Sequence, residues 1–240
     1  MWVTEVLPAT GERVDAASPD ARAWLSERYR RDEDAYVRLN MIASLTGAAA
    51  GTDGTSDTLT SRLDREILTT IRAAADVVLV GAQSVRAEGY IVPRSARLAI
   101  VSASGDLGGH RLDPARAADG AVLLLVPEDA AVTAPAGVEV VRVPVPGRIG
   151  PAAVLAALRA RGLGRIVCEG GPGLASQLSS AGLIDEYCVT SAPALTPAAD
   201  PFLRLEAAVQ TTVAGMLVDE AGFSYLRLRA SSAPAARASR

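Results

Sequence analysis

The sequence contains no lysine, a single histidine and only two cysteines among its 240 residues. Without a lysine amine, imine-forming catalysis such as that of pyridoxal phosphate enzymes is excluded. His110 stands in a loop-like GDLGGHR segment with no serine or cysteine motif beside it, which is more typical of a solvated residue than of a catalytic base. One histidine and two separated cysteines do not supply the ligands of a zinc site. Chemistry carried out by a bound cofactor remains.

Long apolar runs and a strong net charge are absent as well. No run approaches the roughly 20 apolar residues that cross a bilayer, and the N-terminal MWVTEVLP lacks the basic and apolar regions of a signal peptide. The net charge of -3 gives no general attraction to nucleic acid or to an anionic membrane. We therefore expect a cytoplasmic protein that binds a small molecule, with Cys168 and Cys188 as buried, reduced thiols in strands.

The apolar pattern predicts one α/β domain, because 49% apolar residues suffice for a single sizeable core. Strands are predicted at 36–45, 76–81, 97–102, 121–127, 138–143, 165–168 and 185–192, followed by an antiparallel hairpin at 211–217 and 223–228. Helices are predicted around Trp24, Leu25 and Tyr29, from Ser61, at 151–161 and after Pro172. This order predicts a mixed, mainly parallel sheet that ends in the hairpin. We divide the chain into an N-terminal extension with a short helix and a mobile start (1–34), a main domain (35–229) and a disordered tail (230–240).

The most informative stretch is RIVCEGGPGLASQLSSA, residues 165–181. A short apolar strand passes through GGPG (170–173) into a pattern with helical spacing. Glycines let the backbone approach a ligand closely, and free N–H groups at a helix start suit a pyrophosphate. Glu169, at the end of the strand, would then face the crevice where open α/β sheets bind ligands. The alternative is an ordinary tight turn between a strand and a helix.

Other polar residues fall at predicted strand ends or on predicted helices. Asn40 is a polar side chain inside an apolar strand, and it is either a core anchor or a ligand contact. Arg72, near the end of the helix that begins after residue 60, either interacts with the helix dipole or binds a phosphate. Ser84 and Glu88 follow a buried strand, at the ligand edge of the sheet. The pattern alone therefore predicts a nucleotide-binding α/β domain without naming a substrate.

Five segments of the chain resemble one known family. They are VRLNMIASLTG, GTSDTLTSRLDREILTTIRA, DVVLVGAQSVRAEGY, CEGGPGL and LIDEYCVTSAP, and the resemblance runs from Tyr36 to Leu228. The chain is similar to the reductase domain of bacterial riboflavin biosynthesis, the pyrimidine reductase branch of the dihydrofolate reductase fold. The resemblance implies a three-layer domain of that fold, commonly a homodimer. It also implies an NADPH-dependent reductase that converts the ribosylamino side chain of a pyrimidine phosphate to ribitylamino, by hydride transfer to ribose C1′.

The resemblance also assigns site residues. Glu169 is expected to hold the substrate and is the catalytic candidate for proton supply; the alternative is a carboxylate that only orders the turn. The residues that fall where the family contacts substrate are Ser56, Arg72, Val92 and Glu169, with Arg94 and Asn40 as further candidates. Those that fall at the cofactor are Ala43, Thr58, Ser84, Glu88, Ser102, Gly170, Gly171, Pro172, Gly173, Leu174, Ala175, Ser176 and Gln177. Preference for NADPH over NADH would come from Ser102, Ser104 or a nearby arginine that meets the 2′-phosphate.

The chain also departs from the family's pattern. Thr46 stands where the family usually has aspartate, which motivates an alternative: a related enzyme that reduces a different substrate, such as a dihydropterin. Glu88 replaces a usual aspartate, and Gly173 replaces a usual threonine. The H-x-E and P-C-x-x-C motifs of the zinc deaminase fused to many relatives are absent, so this chain does not perform that step by itself. A nucleotide-binding module without catalysis is the third interpretation.

Overall fold

The computed structural model describes residues 1–88, 90–117, 120–197 and 201–231. In these residues the strands are β1 (Trp2–Leu7), β2 (Arg13–Asp15), β3 (Tyr36–Ser44), β4 (Val77–Gly81), β5 (Arg97–Val101), β6 (Val122–Pro127), β7 (Glu139–Val143), β8 (Arg165–Cys168), β9 (Glu186–Ala192), β10 (Thr211–Asp219) and β11 (Ser224–Ala230). The helices are α1 (Ala21–Tyr29), α2 (Arg62–Ala73), α3 (Ala82–Glu88), α4 (Pro114–Ala117), α5 (Pro151–Arg159) and α6 (Pro172–Ser180). The strands form one sheet in the order β2-β1-β10-β11-β9-β3-β8-β4-β5-β6-β7.

The sheet is mixed and mainly parallel. Strands β9, β3, β8, β4, β5, β6 and β7 all run parallel to one another. The hairpin of β10 and β11 adds to β9 in the antiparallel sense, and β1 and β2 extend that side of the sheet. The predicted architecture, a mainly parallel sheet with a terminal antiparallel hairpin, is confirmed.

The core is divided between the two faces of the sheet, as the alternation along β8 shows. Ile166 and Cys168 pack in the cluster that includes α5 and α6, whereas Val167 belongs to the cluster of α1 and α2. All three side chains are fully buried. Because helices cover both faces, the central strands are apolar on both sides, and each fully buried aliphatic side chain contributes about 1.5–3 kcal/mol. The domain therefore has the expected three layers.

Helix α2 begins where its sequence predicts. The backbone N–H of Asp64 donates to Ser61 Oγ at 3.1 Å, which caps the helix. Leu63, Ile67 and Ile71 recur at helical spacing and are buried against the sheet. The neighbouring stripe of Asp64, Leu68 and Arg72 is only half-buried, so it is free to line a cleft.

The N-terminal segment differs from the sequence-based expectation. The predicted mobile start is wrong, because β1 pairs with β10 and its Val3 is fully buried. The predicted short helix is confirmed as α1. The sheet thus includes strands from both 1–34 and 35–229, and the division between these parts stays a prediction. Of the predicted tail (230–240), Ala230 ends β11 and 232–240 lie outside the described residues.

The single histidine and the two cysteines lie in the kinds of position that the sequence predicts. Cys168 and Cys188 are buried free thiols, as predicted. His110 lies in a loop, where its Nδ1 accepts the N–H of Leu112 at 3.1 Å. Within the described ranges, no helix combines the length and the apolar character needed to cross a membrane.

Candidate active site

A cleft of about 900 Å³ opens at the carboxyl ends of β3, β4, β5 and β8. The predicted site residues that line it are Asn40, Ser56, Arg72, Ser84, Glu88, Ser102, Glu169, Gly171, Pro172, Gly173, Leu174 and Gln177. The carboxyl edge of the strands is where open α/β sheets bind ligands. A smaller cavity of about 320 Å³ between α1 and β10 contains none of these residues. We therefore assign the candidate site to the large cleft.

The remaining predicted site residues do not line the cleft. Ala43, Val92, Gly170 and Ala175 are buried, Thr58 and Arg94 are exposed, and Ser176 is half-buried in α6. The Ser176 hydroxyl donates to the carbonyl of Pro172 and accepts the backbone N–H of Arg204. Direct contacts of these residues with a ligand stay predictions.

An ion pair between Arg72 and Glu169 lies in the cleft. Arg72 Nε donates to Glu169 Oε1 at 2.7 Å, and Arg72 Nη2 donates to Glu169 Oε2 at 2.6 Å. The same Nη2 donates to the Tyr90 hydroxyl at 3.1 Å. The Glu169 side chain is 7% exposed and the Arg72 side chain 20%. This two-point geometry fixes both the position and the plane of the carboxylate.

The position of Glu169 follows from the local strand pairing. Its backbone N–H donates to the carbonyl of Leu79 in β4 at 3.0 Å, so the β4–β8 pairing extends one residue past β8. Burial raises the pKa of the Glu169 carboxyl, and the Arg72 guanidinium opposes that change. The carboxyl group therefore holds a proton more readily than one in water, although a cation contacts it.

The glycine turn brings backbone N–H groups to the cleft. Gly170 has a φ of 86°, which favours glycine, and a Cβ there would meet Met41 at 3.2 Å. The N–H of Gly171 donates to Ser84 Oγ at 2.7 Å, which ties the turn to α3. Helix α6 then starts at Pro172 without a side-chain cap. The first turn of α6 is therefore open to a negatively charged group.

Asn40 faces the cleft from the floor of the sheet. It is half-buried and lines the cleft, and its side-chain amide has no hydrogen-bond partner among the described residues. A polar amide that faces a cleft without a partner is suited to a ligand. Of the two roles that the sequence left open, the ligand contact stays a prediction.

Ser84 and Ser102, both predicted to contact a cofactor, line the cleft. Residues 82–88, which the sequence predicts as a short polar segment, form α3, and Ser84 in its first turn meets the glycine turn. Ser102 follows β5, is buried, and accepts the N–H of Gly105 at 3.0 Å. Both hydroxyl groups therefore already take part in ordering the loops around the cleft.

Sequence analysis did not single out Tyr90, Asp64, Thr60 or Arg148, all of which line the cleft. Tyr90 holds Arg72, and its ring lies 5.4 Å from the guanidinium carbon. The signal for Asp64 was available, because it stands eight residues before Arg72 and therefore on the same side of α2. For Tyr90, which lies in a loop, the pattern carried no such signal.

Thr46 lies outside the cleft lining. Its hydroxyl contacts Ser44 Oγ at 2.8 Å and accepts the N–H of Thr196 at 3.1 Å. The residue thus fastens the end of β3 to the segment after β9. Thr46 therefore has a structural contact at the position where the family usually has aspartate, and the alternative substrate stays a proposal.

Comparisons with known proteins agree with this architecture. A search of the curated proteins found no match. A pyrimidine reductase-like protein from Corynebacterium diphtheriae superposes with a TM-score of 0.68 at 21% identity, over 92% of this chain and 98% of that one. The riboflavin biosynthesis reductase of Saccharomyces cerevisiae gives 0.65 at 13% identity, over 88% of this chain and 100% of the other.

A longer protein shows the same fold. The diaminohydroxyphosphoribosylaminopyrimidine deaminase/5-amino-6-(5-phosphoribosylamino)uracil reductase of Thermotoga maritima has a TM-score of 0.68 at 19% identity, over 82% of this chain. The chain spans 57% of that protein's length. Identities this low establish the shared fold alone. The profile of the RibD C-terminal domain, however, matches residues 35–219, and the chain therefore belongs to the RibD C-terminal domain family.

Proposed function

We propose that the protein is an NADPH-dependent reductase of the riboflavin pathway that transfers hydride to C1′ of a ribosylamino-pyrimidine phosphate. The observation that carries the proposal is the Arg72–Glu169 ion pair, which lines the cleft beside the glycine turn. Membership of the RibD C-terminal domain family supports it. Two similar solved structures, described as a pyrimidine reductase-like protein and a riboflavin biosynthesis reductase, support it as well. The substrate in the name of the Thermotoga protein, 5-amino-6-(5-phosphoribosylamino)uracil, is the one we propose here.

The start of α6 fits the diphosphate of a nicotinamide dinucleotide. A Cβ added at Gly173 would meet no atom within 4 Å, so the backbone there is open to a ligand. The uncapped N–H groups and the helix dipole favour a negative charge. We infer that Gly171, Gly173, Leu174 and the Ser84 hydroxyl hold the dinucleotide, which supplies the hydride when bound.

Arg148 is our candidate for the arginine that meets the 2′-phosphate. It is exposed, lines the same cleft as Ser102, and its guanidinium has no partner among the described residues. A guanidinium binds phosphate at two points, whereas the 2′-hydroxyl of NADH offers no charge to it. We expect Arg148→Ala to raise the KM for NADPH about tenfold and to leave the KM for NADH unchanged.

The pair of Glu169 and Arg72 would carry the polar part of the reaction. Hydride adds to C1′, the bond from C1′ to the ring oxygen O4′ breaks, and O4′ takes a proton. Glu169, whose pKa is raised by burial, is the proposed proton donor or its relay. Arg72 Nη1 has no hydrogen bond to a described residue, and this donor would stabilise the developing charge on a substrate oxygen. The role of Arg72 is thus mainly to orient Glu169, with one nitrogen left for the substrate or its phosphate.

A dihydropterin substrate and a non-catalytic module are the competing proposals. The case for the pterin depended on Thr46, which contacts Ser44 and Thr196 and does not line the cleft. A module that only binds a nucleotide would not need a buried, oriented carboxylate in the cleft. Both proposals are therefore less well supported than the pyrimidine reductase.

The deciding assay follows NADPH oxidation at 340 nm with the phosphoribosylamino-uracil as substrate. We expect turnover that depends on both compounds and that falls about 100-fold or more in Glu169→Gln, because an amide cannot supply the proton. The matched control is Glu66→Gln on the outer side of α2, where the carboxylate pairs with the exposed Arg22 and is not among the residues that line the cleft. Oxidation with a dihydropterin but not with the pyrimidine would overturn the proposal.

The homodimer and the cytoplasmic location implied by the resemblance stay proposals. Sedimentation velocity tests the first, and a single species at twice the chain mass of 24.7 kDa is the expected result. A species at the chain mass would contradict it.

A further inference from the structure

The cleft-facing side of α2 carries two functional groups rather than one. Asp64, Leu68 and Arg72 all line the cleft, and their spacing of four residues stacks them on one side of the helix. Eight residues of α-helix span about 12 Å, so the stripe separates the Asp64 carboxylate from the Arg72 guanidinium by roughly two turns. A ligand that contacts the Arg72–Glu169 pair with one end therefore extends along Leu68 toward Asp64.

The surroundings of Asp64 hold its carboxylate in place without neutralising it. Thr190 Oγ1 in β9 donates to Oδ1 at 2.6 Å, and Thr60 Oγ1 donates to Oδ2 at 2.6 Å. Neither donor carries a charge, and Asp64 forms no salt bridge with a described residue. Burial raises the pKa of Asp64, and the two threonine hydroxyls oppose that change.

These contacts leave part of the carboxylate's capacity unused. An ionised carboxylate accepts about four hydrogen bonds, and the two threonines fill two of these positions. The residue lines the cleft, and no further hydrogen bond from a described residue reaches its two oxygens. A carboxylate with two free acceptor positions matches two adjacent N–H donors, as an ionised carboxylate matches the paired N–H groups of a guanidinium.

We propose that Asp64 determines substrate specificity by accepting hydrogen bonds from a ring N–H and the amino group next to it on a heterocycle, while Arg72 and Glu169 contact the sugar end. This inference rests on the proposed function, because it places the reacting sugar at Glu169. It narrows the substrate class to nitrogen heterocycles with a donor edge, such as an aminouracil or a pterin. Heterocycles whose ring nitrogens are alkylated are excluded.

The test compares two ligands in the absence of any cofactor. 5,6-Diaminouracil carries a ring N–H beside its 6-amino group. Its 1,3-dimethyl derivative keeps the amino groups but lacks the ring N–H donors. Isothermal titration or protein-observed NMR gives the dissociation constants. We expect wild-type protein to bind the unmethylated ligand about tenfold more tightly or better, since a lost charge-assisted hydrogen bond has at least that effect. In Asp64→Asn the preference should fall to about threefold or less, because an amide presents its own N–H group where an acceptor is needed.

Controls separate recognition from folding. Glu66→Gln, on the side of α2 that faces away from Asp64, should keep the full preference of the wild type. Asp64→Ser is the second variant in case Asp64→Asn does not fold, and the ratio of two affinities does not depend on the folded fraction. Pterin is the third probe: it carries the same donor edge, and whichever of pterin and diaminouracil loses more affinity in Asp64→Asn is assigned to the site.

Three outcomes would overturn the inference. These are equal binding of the two uracils by the wild type, an unchanged preference in both Asp64 variants, and no saturable binding of diaminouracil at all. Because the titration contains no NADPH, a protein that fails to oxidise NADPH contradicts the proposed function and not this result. Conversely, Asp64→Asn could oxidise NADPH at the wild-type rate and still prefer diaminouracil to its dimethyl derivative as the wild type does. That result contradicts this inference and not the proposed function.

Discussion

The Arg72–Glu169 pair makes a quantitative prediction for a double-mutant cycle. Removing one partner of a buried ion pair costs about 3–5 kcal/mol, because the other charge is left without compensation. Glu169→Gln leaves Arg72, which is 20% exposed and can recover some hydration, so we expect a cost near about 3 kcal/mol. Arg72→Met leaves a carboxylate that is only 7% exposed, so we expect the upper part of the range, about 4–5 kcal/mol.

The double variant should cost no more than the larger single change. Once both charges are gone, no buried charge remains to be compensated, and the expected coupling energy is about 3 kcal/mol. The measurement is urea unfolding of the four proteins, monitored by circular dichroism. A control cycle is available in the Arg97–Glu139 pair, which has a similar distance of 2.8 Å but side chains that are 33% and 43% exposed. For such a surface pair the coupling should be about 0.2–1 kcal/mol.

The same pair predicts a pH dependence with a defined sign. Burial raises the pKa of Glu169 above its value in the unfolded chain, so this group contributes most to stability at low pH and the contribution is lost as pH rises. Without the opposing Arg72 guanidinium the pKa rises further, so Arg72→Met should lose more stability than the wild type as pH rises above the usual pKa of a glutamate. Single-variant costs that add within about 0.5 kcal/mol to the cost of the double variant would refute the reasoning. So would an Arg72→Met protein that becomes more stable relative to wild type as pH rises.

Two further predictions concern groups outside this pair. Burial raises the pKa values of Cys168 and Cys188 to about 12, so both thiols should be inert to Ellman's reagent at pH 8 in the native protein and react in denaturant; fast native labelling would contradict their burial. A Cβ at Gly171 would meet Ser84 Oγ at 2.8 Å, so Gly171→Ala should destabilise the protein by about 1–3 kcal/mol and weaken NADPH binding. In a Ser84→Ala background the same change should cost less than half as much, and an equal cost in urea unfolding would show that the clash is not the cause.

The fold was largely predictable because its strongest signals are local. β4 is a run of valines and a leucine that is buried on both faces, and such a run has few alternatives to a central parallel strand. β1 escaped prediction because only Val3 and Glu5 of its six residues are buried. The place of such a strand in the sheet is defined by its partner β10, more than 200 residues away, and no local pattern reports that pairing.

The site was predictable residue by residue but not as an arrangement. Arg72 and Glu169 were each identified, yet their pairing joins positions 97 residues apart, and the sequence suggested phosphate as the partner of Arg72. The sequence placed Asp64 only on the helix that begins at Ser61. Its backbone N–H caps that helix, while its side chain reaches Thr190 in β9 and lines the cleft. A residue with one local role gives no sign in the sequence that its side chain has a second, long-range one.

The most direct test of the central claim is the rate of NADPH oxidation with 5-amino-6-(5-phosphoribosylamino)uracil, measured for wild type and Glu169→Gln under the same conditions. The account predicts substrate-dependent oxidation in the wild type and a loss of about 100-fold or more in kcat in the variant, with NADPH affinity unchanged. Equal rates in the two proteins, or no substrate-dependent oxidation by a wild type that binds NADPH, would contradict it.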